Sequence, residues 1–240
     1  MELSIIIPAY NEAERIPGML ESYARTFPEA EILVVPNGCT DDTATVVRKL
    51  AIAHPNIIVQ EIRETVGKAV AVRTGWEHAH GEWLAFVDAD GSTSAAEFQR
   101  ILQARDSADG VIASRWKRGA NVENRTALRE LASYLFAVIV KLLFWLPYRD
   151  TQCGAKVFRR SFITPYLAHA RVTNMAFDVE LLLLMRAQRA RIIEFPTHWV
   201  DSSDSAVLGS PWKLVRNSLT MLKTLFILRF QSSPLTANHV

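Results

Sequence analysis

Short apolar runs alternate with segments of helical periodicity through the first half of the chain, and this alternation constrains the fold more than any other feature. Five runs are predicted to be strands: SIIIP at Ser4, EILVVP at Glu31, NIIVQEI at Asn56, WLAFVD at Trp83 and GVIAS at Gly110. Helical patterns begin between them, at Glu12, Asp41, Gly67 and Ser94. Several runs lack polar alternation, which is typical of strands buried on both faces. The pattern predicts an α/β fold with a mostly parallel central sheet and helices on both faces.

Composition places the chain among globular proteins and narrows the choice of partners. With 240 residues, 49% of them hydrophobic, it is long enough to bury a full core. The formal net charge of only +2 argues against a nucleic-acid partner. The two cysteines, Cys39 and Cys153, belong to no metal-binding motif, and no signal-peptide pattern is present. These features predict a reducing compartment and no zinc site.

A polar motif follows each of the five predicted strands. These motifs are PAYNE, PNGCTDDT, RETVGK, DADGS and SRWKRG. Parallel strands bring their carboxyl ends to one edge of a sheet, and ligands of open α/β sheets bind beyond that edge. We therefore expect the binding site to be built from these five loops.

The fourth motif places two carboxylates, Asp88 and Asp90, directly after a buried strand. An isolated Asp-x-Asp pattern is more often a solvated turn or a helix cap than a ligand site. At the end of a buried strand, however, two adjacent carboxylates repel each other unless a cation neutralises them. Oxygen ligands suit Mg²⁺ or Mn²⁺, which also bind substrate phosphates. The position predicts half of such a metal site.

Four stretches together resemble the inverting glycosyltransferases of family 2, which have the GT-A fold. They are IIIPAYNE, AFVDADG, ASR and DTQCGAKVFRR, and the resemblance extends from Ser4 to about Phe230. Within that family the chain is most similar to the polyprenyl-phosphate (dolichyl-phosphate) hexose synthases. It resembles the glucose-transferring members more than the mannose-transferring ones, which usually have Leu where this chain has Gly91.

The resemblance implies roles for residues around the donor. Nucleotide-sugar contacts are expected from Pro8, Ala9, Tyr10, Glu12, Asn37, Lys68, Asp88 and Ala89, with Arg73 a further candidate. The metal, Mg²⁺ or Mn²⁺, is expected on Asp88, Asp90 and Ser92, where it bridges the donor diphosphate. Lys68 and Arg73 are equally compatible with solvated helix charges.

The resemblance also implies an acceptor site and a reaction. Catalytic roles are expected for Asp90, Asp178, Arg115, Arg125 and Arg129. Arg115, together with Arg125 or Arg129, matches the arginines that hold the acceptor phosphate, and Asp178 is the carboxylate expected near the sugar. A phosphate monoester is largely a dianion near neutral pH, so it needs no protein base. The predicted reaction is single-step inverting transfer of glucose from UDP-glucose to polyprenyl phosphate.

Two departures from the family pattern affect this interpretation. After the second strand the family usually has acids that help to read the base, whereas this chain has Pro36, Asn37 and Gly38. Near the C-terminus, Ser205 and Ala206 align with a Ser-Lys pair, and Lys213 is a possible substitute for the missing lysine.

Two further segments concern the membrane. Pro211–Phe230 is predicted to be an amphipathic helix without acids, although an ordinary surface helix fits the same periodicity. Residues 131–146 are apolar but short of the roughly 20 residues of a simple spanning helix. DVELLLLMRAQ, from Asp178 to Gln188, is predicted to be a core helix. We expect a GT-A domain over residues 1–205 and a membrane-surface segment over 206–240, peripheral to the cytoplasmic face of a membrane.

Three alternatives remain open. The chain could be a GDP-mannose-dependent polyprenyl-phosphate mannose synthase. It could act on a sugar hydroxyl of a cell-surface glycan, in which case Asp178 or Glu180 would have to serve as the base. It could also be a non-catalytic nucleotide-sugar binding protein, since Asn37 and Ala206 replace family residues; the intact Asp88 and Asp90 argue against this alternative.

Overall fold

The computed structural model describes residues 1–124, 126–201 and 211–230. Within them the strands are β1 (Leu3–Ala9), β2 (Glu31–Pro36), β3 (Ile57–Val59), β4 (Trp83–Val87), β5 (Gly110–Ser114), β6 (Asn121–Glu123), β7 (Ala155–Arg159), β8 (Ile192–Pro196) and β9 (His198–Val200). The α-helices are α1 (Ile16–Thr26), α2 (Thr43–Ala53), α3 (Gly67–His78), α4 (Ala95–Gln103), α5 (Ala127–Phe144), α6 (Arg160–His169), α7 (Phe177–Ala187) and α8 (Pro211–Phe230). A short 3₁₀ turn covers Ala104–Ser107.

Seven of these strands form one central sheet in the order β3-β2-β1-β4-β7-β5-β8. All neighbours are parallel except β7, which runs antiparallel to both β4 and β5. β6 and β9 form a separate two-stranded sheet. The mostly parallel sheet and its first five strands are therefore confirmed.

The four early helices are also present, with small corrections at their starts. α1 begins at Ile16 rather than Glu12, because residues 12–15 form a turn in which the Arg15 amide donates to the Glu12 carbonyl. α2 begins at Thr43 rather than Asp41. α4 is capped by Ser94, whose hydroxyl accepts from the Glu97 amide at 3.2 Å.

The core lies on both faces of the sheet, as the apolar runs predict. Successive residues of β1 point to opposite faces, so Ile5 and Ile7 pack with α1 and α4 while Ile6 packs with α3 and α7. Each such burial contributes roughly 1.5 to 3 kcal/mol. Eight residues of α7 are buried, which confirms it as a core helix.

Helices α5 and α8 pack against each other at the border of this core, and each contributes buried side chains to it. α8 has the bounds predicted for the amphipathic helix, and Leu225 on it is buried against the core. Among the described residues, no helix has the length and apolarity required to cross a bilayer. The proposed boundary near residue 205, with Ser205 and Ala206, lies outside the described residues, as does the side chain of Lys213.

Sequence analysis missed β6, β7, β8 and β9, and of these β7 matters most for the site. Because it is antiparallel, its first residue, Ala155, lies opposite Val87 at the carboxyl end of β4. The loop that precedes β7 therefore joins the loops that follow the parallel strands, at the same edge of the sheet.

Candidate active site

The end of β1 supplies the first side of the site. Pro8 and Ala9 are buried and paired with the end of β2, while Tyr10 is half-buried. Glu12 follows, with its amide bound to the Thr43 hydroxyl at 2.8 Å. Burial raises the pKa of Glu12 to about 7; Arg15 opposes this shift, and Asp90 and Asp88 add to it. The Glu12 carboxyl therefore lies within electrostatic reach of both aspartates.

Asn37 links three loops of this edge. Its side-chain amide donates to the Ala9 carbonyl at 3.0 Å, and its side-chain oxygen accepts from the Gly67 amide at 3.1 Å. An aspartate could accept from Gly67 but could not donate to Ala9. The departure from the acidic family pattern thus has a structural reason here. Contact between Asn37 and the nucleotide remains a prediction.

Lys68, in the first turn of α3, forms an ion pair with Asp88. Its Nζ lies 2.5 Å from Asp88 Oδ1. Burial opposes the charge of Lys68, but the carboxylates of Asp88 and Asp178 outweigh burial and raise its pKa. Sequence analysis left Lys68 undecided between a site residue and a solvated charge, and the side chain is largely buried at the site. Arg73, by contrast, donates to the Val172 carbonyl at 3.0 Å and so links α3 to the loop between α6 and α7.

Asp90 lies on a tight turn after β4. The turn passes through Gly91 with φ of +75°, a conformation that favours glycine, and the Ser92 amide donates to Asp90 Oδ1 at 3.0 Å. Burial raises the pKa of Asp90, and the neighbouring Asp88 raises it further, against the effect of Ser92. The site thus concentrates negative charge in a partly buried place.

These residues fit a divalent cation bound together with a substrate. A cation would relieve the repulsion between Asp88 and Asp90, and the buried side chain of Ser92 lies beside Asp90, where its hydroxyl could add an oxygen ligand. No group of three or more His, Cys, Asp or Glu residues in the described ranges is arranged to hold a metal ion. Two carboxylates with substrate phosphates are the set that Mg²⁺ commonly uses.

Asp178 lies beneath this edge, in a buried ion pair. Its Oδ1 is 2.6 Å from Lys156 Nζ, and the two side chains are 1% and 0% exposed. Burial raises the pKa of Asp178, against the lowering effect of Lys156 and Lys68. Glu180 is also engaged, since its carboxylate accepts from the amides of Arg171 and Val172 at 2.9 and 3.2 Å. Neither carboxylate is placed as an exposed base.

Arg115, at the end of β5, is held by a buried carboxylate. Its Nε and Nη2 lie 2.8 and 3.0 Å from the two oxygens of Asp150, and its guanidinium lies 5.3 Å from the centre of the Trp199 ring. Burial raises the pKa of Asp150, but Arg115 outweighs burial and the net shift is downward. Much of the charge of Arg115 is therefore balanced within the protein. Arg125 and the side chain of Arg129 lie outside the described residues.

Sequence analysis missed Asp150, Gly154 and Lys156 as site residues, although the motif DTQCGAKVFRR contains all three. The available signal was the short apolar alternation after Gly154. It went unused because β7 pairs with strands far away in the chain. The structure therefore adds a sixth loop, Asp150–Gly154, to the five that the sequence predicts.

Comparison with known proteins decides the family. Residues 4–166 match the model of glycosyl transferase family 2. The chain belongs to this family. A dolichyl-phosphate beta-glucosyltransferase of Trichomonas vaginalis is 34% identical over 218 residues, covering 84% of this chain and 65% of the relative. The enzyme of the same name from Drosophila melanogaster is 33% identical over 230 residues, covering 85% of this chain and 69% of the relative. The chain thus spans about two thirds of the length of these relatives.

Solved structures support the fold. Glucosyl-3-phosphoglycerate synthase from Mycobacterium tuberculosis, in complex with UDP, superposes with a TM-score of 0.69 at 18% identity, covering 95% of this chain and 79% of that one. A mannosyltransferase from Pyrobaculum calidifontis, in complex with GDP-mannose and Mn²⁺, gives 0.61 at 18% identity, covering 99% and 78%. The GT-A fold predicted for this chain is confirmed.

Proposed function

We propose that this protein transfers glucose, with inversion, from UDP-glucose to a polyprenyl phosphate of the dolichyl type. The observation that carries the proposal is the cluster of Asp88, Asp90 and Lys68 at the carboxyl edge of the sheet, in a chain about one third identical to named dolichyl-phosphate beta-glucosyltransferases. An acidic pair beside a buried lysine suits a diphosphate bound with a cation.

The donor is proposed to bind across the ends of β1, β2 and β4. Pro8, Ala9, Tyr10 and Glu12 flank the nucleoside on one side, with Asn37, Asp88 and Ala89 on the other. Asp88, Asp90 and Ser92 would hold Mg²⁺ or Mn²⁺, which supplies positive charge to the departing nucleoside diphosphate. Lys68 orients Asp88 through their ion pair, and its own charge lies close enough to add to the field at the phosphates.

The acceptor is proposed to be its own nucleophile. A phosphate dianion needs no proton removed, which agrees with the engagement of Asp178 and Glu180 in internal contacts. It needs cations, and we assign Arg115, Arg125 and Arg129 to it. Since Asp150 already offsets the charge of Arg115, Arg125 and Arg129 are expected to provide most of the attraction.

The chain is also proposed to lie on the cytoplasmic face of a membrane, where such an acceptor is found. Apolar side chains are exposed along both outer helices: Leu131, Leu135, Leu142, Leu219, Phe226 and Phe230. α8 has exposed cations at Arg216, Lys223 and Arg229 and contains no acid. An apolar surface bordered by cations suits an anionic lipid surface.

The test is a transfer assay with a panel of donors and acceptors. Purified protein with Mg²⁺ or Mn²⁺ is given polyprenyl phosphate and, in turn, UDP-glucose, GDP-mannose and other sugar nucleotides. We expect a β-glucosyl lipid from UDP-glucose, with the anomeric configuration read by NMR. A mannosyl lipid, a product formed only on a sugar hydroxyl, or binding without any product would each contradict the proposal.

A further inference from the structure

The loop Asp150–Gly154, called here the β7 turn, lies against Asp88. The Asp88 amide donates to the Gly154 carbonyl at 3.0 Å. A Cβ on residue 154 would lie 1.8 Å from Asp88 Oδ2, so only glycine allows this approach. The β7 turn is therefore part of the edge where we place the donor diphosphate.

Buried charges fix the conformation of the β7 turn. Asp150 is bound by Arg115 and also accepts from the Gln152 amide at 3.1 Å. Lys156 Nζ donates to the Cys153 carbonyl at 2.6 Å. Glu194 accepts from the Asp150 amide at 2.8 Å. A turn held at both ends in this way presents its side chains in a preorganised arrangement.

Two polar atoms of this rigid turn lack a hydrogen-bond partner. Thr151 Oγ1 and Gln152 Nε2 are buried, and neither bonds to any other described residue. On the loop after the neighbouring strand β4, the hydroxyl of Thr93 is in the same state. Buried polar groups are almost always paired, and leaving one unpaired costs free energy. Three such atoms on two adjoining loops indicate a polar ligand that satisfies them.

The charge balance around the β7 turn indicates which part of the substrate binds to these unpaired atoms. Three cations lie buried or largely buried beside the turn in the described structure, and each is paired with a carboxylate: Arg115 with Asp150, Lys156 with Asp178, and Lys68 with Asp88. These pairs leave little net positive charge on the buried side of the turn with which to attract a phosphate dianion. A hydroxyl and a neutral amide instead match the hydroxyl groups of a sugar, which both donate and accept.

We propose that Thr151 and Gln152 recognise hydroxyl groups of the donor hexose and so determine which sugar is transferred. The inference rests on the proposed function, since it takes the diphosphate to lie at Asp88. A site built to bond a particular hydroxyl rejects analogues that lack it, because its own buried polar groups are then left unpaired. The β7 turn would in this way determine the sugar specificity of the site.

The test compares binding of the sugar nucleotide with binding of the bare nucleotide. Gln152→Met and Thr151→Val keep the side-chain size but remove the polar atoms. Gln103→Met, at an exposed position of α4, is the matched control. Calorimetry in the presence of Mn²⁺ measures UDP-glucose and UDP for each variant. We expect each site variant to bind UDP-glucose about 10-fold to 100-fold more weakly, with UDP affinity unchanged. The control should match wild type for both ligands.

A panel of deoxy analogues of UDP-glucose identifies the hydroxyl involved. For each variant, one analogue should bind as well as it does to wild type, because the missing hydroxyl and the missing protein group belong to the same contact. The melting temperature separates this role from a structural one. Removing an unpaired buried atom should leave the melting temperature unchanged or raise it, whereas removing a structural hydrogen bond would lower the melting temperature.

The inference would be overturned if the site variants lost affinity equally for UDP and UDP-glucose, lost affinity for neither, or had a lowered melting temperature. These readouts need neither the lipid acceptor nor turnover, so they remain valid if the acceptor proves to be different. If the wild type prefers another sugar nucleotide, the proposed function fails in the donor panel. The same comparison, made with that sugar nucleotide and its own nucleoside diphosphate, then decides the inference.

Discussion

Glu12 shows how a single residue at this edge responds to its neighbours. Burial, with Asp90 and Asp88 nearby, raises its pKa from 4.5 to about 7 in the folded protein, while the unfolded chain keeps the ordinary value. Between these two values the folded state holds a proton that the unfolded state has lost. The raised pKa therefore favours folding at low pH, and this contribution is lost as the pH rises from about 4.5 through about 7.

We predict that Glu12→Gln removes this pH dependence. In metal-free protein, the free energy of unfolding of the wild type should fall more steeply between pH 4.5 and 7 than that of the variant. Urea unfolding at several pH values measures the difference, and Glu14→Gln serves as a control close by in the sequence. Parallel pH profiles for wild type and Glu12→Gln would show that the pKa of Glu12 is the same in the folded and the unfolded chain.

The arginines proposed for the acceptor differ in what their removal would do. Arg115→Ala would leave Asp150 as an unpaired buried charge, which typically destabilises a protein by about 3 to 5 kcal/mol. Loss of activity in that variant would not distinguish binding from folding. Arg115 is therefore a poor first choice for testing the acceptor site by mutation.

Arg125→Ala and Arg129→Ala give the sharper test. If these side chains contact the lipid phosphate, each loses a charge-assisted bond of roughly 1.5 to 3 kcal/mol, or about 10-fold to 100-fold in acceptor affinity. Kinetics at varied polyprenyl phosphate, beside calorimetry of UDP-glucose, should show a raised acceptor KM with donor affinity unchanged. Replacement of either arginine by Lys should retain only part of the acceptor affinity, because an ammonium group cannot make the two-pronged contact of a guanidinium with phosphate. A matching loss of donor affinity would assign these arginines to the nucleotide.

At the scale of elements, the strands that could be predicted are those whose own sequence determines them. β1, β2 and β4 are continuous apolar runs because both faces are buried, and each is followed by a polar loop. β7 and β8 are as long as β4, but Lys156 and Glu194 interrupt their apolar runs, so local periodicity does not reveal them. The same limit applies to the site: Asp88 and Asp90 follow a predictable strand, whereas the Lys156–Asp178 pair exists only because of tertiary packing.

The exposed faces of α5 and α8 lead to a prediction about membranes. We expect Phe226→Ser with Phe230→Ser, and separately Leu142→Ser with Trp145→Ser, to reduce binding to anionic vesicles at least about tenfold, because each removes apolar area from the lipid contact. The measurement is co-sedimentation over a range of lipid concentrations. Ile52→Ser on α2, where Ile52 is 85% exposed, is the control and should bind as wild type does.

Salt separates the two contributions to that surface. Raising the ionic strength should weaken binding of the intact protein only in part, because apolar burial is not screened. Intact protein that never sediments with vesicles would mean that α8 is an ordinary surface helix. Equal loss in the Ile52→Ser control would indicate a general effect of exposed apolar residues rather than a defined face.

At the scale of the whole molecule, the carboxyl edge of the sheet brings together loops from six strands, and ligands bound there should stabilise the entire fold. The residues most closely involved, Asp88 and Asp90, contribute repulsion to the empty site, since each lies in the field of the other. A nucleotide bound with a cation removes that repulsion and adds its own binding free energy. The site is thus coupled to global stability.

We predict that UDP with Mn²⁺ raises the melting temperature of wild type, whereas Asp90→Asn abolishes this rise. At about 100 times its Kd, a ligand adds roughly 2.7 kcal/mol to stability, which corresponds to about 5 to 10 °C for a domain of this size. Without ligand, Asp90→Asn should melt at or slightly above the wild-type temperature, because it removes one of two repelling charges. Transfer activity should be lost in the same variant and in wild type treated with excess EDTA. Asp106→Asn, at an exposed position, is the control. A ligand-dependent rise that persists in Asp90→Asn, or full activity in EDTA, would show that the cation does not depend on this carboxylate.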